Sequence, residues 1–114
     1  MNFNELLVFL SDLTENNNRE WFNTNKDKFL LLKADFEQFI QSIIPGIYKI
    51  DPSIGHLDSK DCVFRIYRDV RFSKNKDPYK NHFGAYISKG GRKSKMAGYY
   101  IHIQAGQSFL AAGS

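Results

Sequence analysis

The hydrophobic period of this chain changes once along its length. Up to Ile43 the large apolar residues return every three or four positions; from Cys62 onward they alternate. The first spacing makes one apolar face on a helix, and the second makes one buried face on a strand. Helices first and strands afterwards predict an α+β fold, with two N-terminal helices packed on an antiparallel sheet formed by the C-terminal half. A length of 114 residues is one domain's worth, so residues 1–114 are expected to form a single domain. Ten Phe, six Tyr and one Trp can furnish its core, which excludes a disordered or collagen-like chain.

The first helix is predicted on Phe3, Leu6, Leu7, Leu10 and Leu13, with Asn2 and Glu5 at capping-box spacing. The polar run 14–18 ends it. Asn17 and Glu20 repeat the capping spacing and open a second helix on Trp21, Phe22, Phe29, Phe36, Phe39, Ile40 and Ile43. A break is compatible with Asn23-Thr24-Asn25, and Pro45-Gly46 is expected to stop the helix. Residues 45–61 then read as an irregular connection, or as a short strand around Ile47–Ile50. Strands are expected on Phe64, Ile66, Val70 and Phe72, on Phe83, Ala85 and Ile87, on Tyr99, Ile101 and Ile103, and from Phe109 onward. Gly90–Lys95 reads as a flexible basic hairpin tip.

Charge is divided unevenly. Five Lys or Arg stand against eight Asp or Glu in residues 1–57, and eleven against four in residues 58–114, within a net charge of +4. A basic half suggests an anionic partner, although a merely solvated basic surface explains the same count. The densest group is Phe64-Arg65-Ile66-Tyr67-Arg68-Asp69-Val70-Arg71-Phe72-Ser73. On a strand, Arg65, Tyr67, Asp69 and Arg71 share the face opposite the apolar row, a polar strip about 20 Å long. Guanidinium forks suit phosphate and carboxylate. The alternative is a ladder of ion pairs that only stabilises the sheet. Arg68 interrupts the apolar row, so a carboxylate is expected to meet it, with Glu20 as the candidate.

Lys74, Lys76 and Lys80 follow that strip, with Tyr79 among them, and Arg92, Lys93 and Lys95 crowd the hairpin tip. Bases interleaved with aromatics also suit nucleic acid, though the pattern is weak here. No phosphate-binding loop, dinucleotide fingerprint or zinc spacing is present, so neither cofactor nor metal is expected. Cys62, the single cysteine, reads as a buried, inert thiol and fits a reducing cytoplasm. No apolar stretch reaches the ~20 residues of a membrane span, and no membrane association is expected.

The blocks Asn16–Phe22, Asn25-Lys26, Phe64–Lys74, Pro78-Tyr79-Lys80 and Gly98-Tyr99-Tyr100 resemble, in order, the signature of the bacterial and fungal DUF2461 family. Asn75, Asp77 and Ala111-Ala112 depart from it. The resemblance implies no catalytic assignment, substrate or cofactor. It implies that relatives are longer, so that this chain matches their N-terminal part. Together with the apolar Phe109–Ala112, it leads to the expectation of an unpaired sheet edge and a homodimer joined through it.

The leading functional expectation is a binding module for a phosphate- or carboxylate-bearing ligand, using Arg65, Tyr67, Asp69, Arg71, Lys74, Lys76, Tyr79 and Lys80. The alternatives are a hydrolase and a purely structural or interaction protein. The hydrolase would use Asp69 as base, Arg65 and Arg71 to stabilise negative charge, and Tyr67 or His102 to carry a proton.

Overall fold

The computed structural model describes residues 1–113. Helix α1 spans Phe3–Glu15, and the Asn2 side chain accepts from the Glu5 N–H as the capping spacing predicts. Helix α2, Arg19–Thr24, is capped by Asn18 rather than Asn17, through a bond from the Trp21 N–H. The break at Asn25 separates it from α3, Lys26–Ile50. Leu6, Phe9, Leu10 and Leu13 of α1 and Phe29, Leu32, Phe36, Ile40 and Ile44 of α3 are all buried.

Pro45 does not end the second helical region. Helix α3 runs through it to Ile50, so the expected loop or strand at residues 47–50 is helical. An interior proline costs about 3 kcal/mol. Burying an isoleucine returns about 1.5–3 kcal/mol, and Ile44 is buried while Ile43 and Ile47 pack partly against the core. The apolar face therefore outweighs the local breaker. A single 3-10 turn at Pro52–Ile54 and the short α4, Ser59–Cys62, lead to the C-terminal half.

Strands β1 (Phe83–Ile87), β2 (Gly98–Ile103) and β3 (Phe109–Gly113) form an antiparallel meander in that order. Phe83 faces Ile103 and Ala85 faces Ile101, which puts the predicted apolar row on the helix side. Phe83 meets Phe29 and Phe36 edge to face. The basic tip is not a loose hairpin. It forms a 3-10 turn at Gly91–Lys93, and Arg92 donates to the Lys60 carbonyl. Gly91 has φ of 76°, and a Cβ there would come within 2.5 Å of the Asp61 carbonyl oxygen. Strand β3 pairs only with β2 among the described residues and is exposed along its length.

The expected strand at Cys62–Phe72 is the main correction. Residues 63–68 lie beside the chain that leads into β1, but a bend at Ile66 interrupts them and they make only two isolated bridges, Val63 with Ala85 and Tyr67 with Tyr79. Four steps on one side face six on the other, so two extra residues in the Lys80–His82 stretch interrupt the ladder. Beyond Arg68 the chain turns, with the Ser73 N–H donating to the Val70 carbonyl. Phe72, expected in the buried row, is 95% exposed.

Candidate functional site

Asn17 holds the candidate site together. Its side-chain amide donates to the Tyr79 carbonyl at 2.9 Å and accepts from the Tyr79 N–H at 3.1 Å. Opposite these bonds, Arg68 N–H donates to the Pro78 carbonyl and Lys80 N–H to the Ile66 carbonyl. The Asn17 amide therefore acts as one more rung beside the 66–68/78–80 pair. It brings the start of α2 against the arginine-rich segment. Phe22 of α2 then stacks on Tyr79 with ring centroids 4.0 Å apart, and Tyr67 meets Phe22 edge to face.

Between these elements lies a cleft of about 610 Å³. Its walls carry Asn17, Asn18, Arg19, Arg65, Tyr67, Arg68, Val70, Lys76, Pro78 and Tyr79, so four cations and no carboxylate line it. Two of the cations are occupied. The Arg68 guanidinium donates to the Asn75 and Asp77 carbonyls and to Ser73 Oγ, and Lys76 Nζ donates to the Val70 carbonyl at 2.6 Å. These bonds close the 69–77 loop. They also correct the expected Arg68–Glu20 pair: Glu20 is exposed, and half-buried Arg68 takes neutral backbone acceptors instead. A charge at the edge of the core keeps some water, so it does not need a buried counter-ion. Arg19 and Arg65 are exposed and make no hydrogen bond or ion pair to another side chain among the described residues.

The remaining expected site residues are dispersed. Asp69 and Arg71 form a two-pronged pair at 3.1 and 2.9 Å, and the Arg71 N–H also donates to Asp69. Hydrogen bonds from the Arg71 side chain, then from its backbone, hold the Asp69 carboxyl below the usual range. Both residues are exposed, outside the cleft. Lys74 is exposed and does not line it. Tyr79 is 4% exposed, so its ring backs the wall; burial raises its phenol pKa. Lys80 does not line the cleft; its ammonium lies 5.5 Å from the Phe64 ring centroid, and burial, then the Arg65 charge, lower its pKa. It lines a second, smaller hollow of about 250 Å³ with His82 and Asp77, which shares Asn17, Arg68 and Tyr79 with the cleft.

His102 belongs to a separate group. Its Nδ1 lies 2.8 Å from the Tyr100 hydroxyl and its Nε2 lies 2.7 Å from Gln104 Oε1. Its ring is stacked between His82 and Phe109. Burial, then His102 and Lys80, push the His82 imidazole down to about 4. Asp69, Tyr67 and His102 thus do not gather at one point. Cys62 is fully buried; burial, then Asp61 and Asp58, raise its thiol to about 11. Among the described residues no three His, Cys, Asp or Glu side chains group as a metal would require. No helix among them is long and apolar enough to cross a membrane.

Asn17, Asn18 and Arg19 were not singled out for chemistry by residue type or spacing. They stand out in the sequence only as part of the Asn16–Phe22 block. The family model described as conserved hypothetical protein (DUF2461) matches residues 5–114. No curated protein and no solved structure matches the chain.

Proposed function

The chain belongs to the DUF2461 family, whose description names no activity, and from its cationic cleft we propose that it binds a phosphate- or carboxylate-bearing ligand. One observation carries this reading: Arg19 and Arg65, two guanidiniums without an internal partner, line a concave site that holds no carboxylate. Guanidinium forks match tetrahedral and planar oxyanions, and a concave, partly apolar wall strengthens the attraction. Lys76 adds charge, and Asn17 and Arg68 supply the frame. The hydrolase reading lacks comparable support, because Asp69 already accepts three hydrogen bonds from Arg71.

Calorimetric titration with inorganic phosphate, sugar phosphates and citrate at low salt tests the proposal. Binding is expected to weaken at least tenfold in Arg19→Gln and in Arg65→Gln, and to weaken with added salt. Absence of binding at low salt, or an affinity in both variants unchanged from the native chain, would overturn it.

The edge of β3 supports a second proposal, the homodimer. Residues 104–113 carry no charge and no proline, the usual guards of an open edge. Leu110 is 69% exposed above an apolar groove lined by Phe39, Ile43, Ile47 and Ile50. Light scattering at micromolar concentration should give twice the chain mass, and a monomer at that concentration would reject it.

A further inference from the structure

We propose that the anion held in the cleft is joined to a flat aromatic ring, as in a nucleoside monophosphate, and that Tyr67 is the surface on which that ring stacks. This inference rests on the anion-binding reading and adds the class of ligand.

Tyr67 is 45% exposed, although the core beneath it is complete. Phe22 and Tyr79 already stack on each other, and Tyr67 leans against both, with centroids 6.1 and 5.6 Å away. Its backbone is bridged to Tyr79. The phenol ring is therefore held from behind and open in front, so little side-chain freedom is lost when a ligand covers it. Exposed tyrosine in this setting is a preformed contact surface, since its hydroxyl end tolerates water and its ring does not need it.

Position supplies the second argument. Arg65 and Tyr67 lie two residues apart, on either side of a bend at Ile66. Both line the same cleft, so one ligand meets a cation and a ring together. Val70 and Pro78 add apolar contact beside Tyr67. The third argument is size. A free phosphate would leave most of a cleft of about 610 Å³ empty, and that volume falls within the usual range for whole small molecules.

The experiment compares inorganic phosphate, ribose 5-phosphate, AMP and UMP by calorimetry at low salt, with Tyr67→Leu and Tyr67→Phe. Circular dichroism confirms that each variant is folded. AMP is expected to bind on the order of tenfold tighter than ribose 5-phosphate, the gain of one base–aromatic stack. Tyr67→Leu should erase that gain, so that AMP and ribose 5-phosphate bind it alike, and Tyr67→Phe should keep it. Equal binding of AMP and ribose 5-phosphate would overturn the ring proposal and leave the anion site standing. An AMP preference that survives Tyr67→Leu would do the same. If none of the four ligands binds, the ring proposal fails, and if citrate does not bind either, the anion site fails with it.

Discussion

Replacing Asn17 by alanine tests the clip on which the cleft depends. The change removes both hydrogen bonds between the Asn17 amide and the Tyr79 backbone, which join positions 62 residues apart. Each bond contributes about 0.5–1.5 kcal/mol net. Tyr79 as a whole is 4% exposed, so its backbone N–H and C=O are left in a poorly hydrated place, and each unsatisfied group adds about 1 kcal/mol or more. Water reaching the half-buried Asn17 position recovers part of this loss. A destabilisation of about 2–3 kcal/mol follows, on the order of 10 °C in the melting midpoint of a domain this size. Asn18→Ala is the control: it removes only the cap bond to Trp21 and should cost about 1 kcal/mol. Urea unfolding followed by circular dichroism and by the fluorescence of Trp21, which stacks on Phe9, measures both. If Asn17→Ala falls within 0.5 kcal/mol of the native chain, or costs no more than Asn18→Ala, the clip does not hold α2 to the arginine-rich segment.

Three other outcomes are expected. The unfolded chain protonates His82 near its ordinary value while the folded chain holds it neutral down to about 4, so stability should fall as pH drops from about 6.5 toward 4; His82→Gln should flatten that part of the pH dependence, and an unchanged slope would contradict the burial of the imidazole. Pro45→Ala restores a helical N–H within α3 and should stabilise by about 1–3 kcal/mol, measured by chemical denaturation; a loss of stability would show that the ring itself is needed. Cys62, buried with its thiol raised to about 11, should resist a thiol reagent at neutral pH until the chain is unfolded, and rapid labelling of the folded protein would count against this placement.

The fold was legible where local signals and tertiary packing agree. Asn2 and Glu5 mark the start of α1, and the alternation at Phe83–Ile87 and Tyr99–Ile103 marks paired strands with the expected inward face. It was illegible where a local rule lost to packing. Pro45 signals a stop, but the apolar face carried by Ile43, Ile44 and Ile47 continues past it. The break in the Arg65–Arg71 strand left no mark of its own. The two extra residues sit in the partner segment near Asn81 and His82, and no property of residues 63–72 reveals them. Arg68 showed in sequence as a cation needing a partner. That its partners are loop carbonyls follows from the reversal of the chain after Val70. Arg19 joins the cleft through the Asn17–Tyr79 bonds and the stacking of Phe22 on Tyr79, relations between distant positions that spacing cannot display.

The same loop explains why the cleft remains cationic. A strand continued to Phe72 would have laid Arg65, Asp69 and Arg71 along one face, where the carboxylate offsets the guanidiniums on either side. The turn at Val70–Ser73 instead folds Arg71 back on Asp69 and commits that carboxylate first to Arg71, while the Arg65 charge acts on it more weakly. Arg68 and Lys76 then close the loop on backbone carbonyls, which accept hydrogen bonds without cancelling charge. Arg71–Asp69 is the one ion pair among the described residues, and it lies outside the cleft. Closing the loop in this way leaves Arg19, Arg65, Arg68 and Lys76 without a salt bridge among the described residues. Their mutual repulsion is a standing cost, reduced by solvent and salt at the exposed positions. An anion seated among them would remove it, so ligand binding and loop stability are coupled: whatever binds here should also raise the unfolding midpoint.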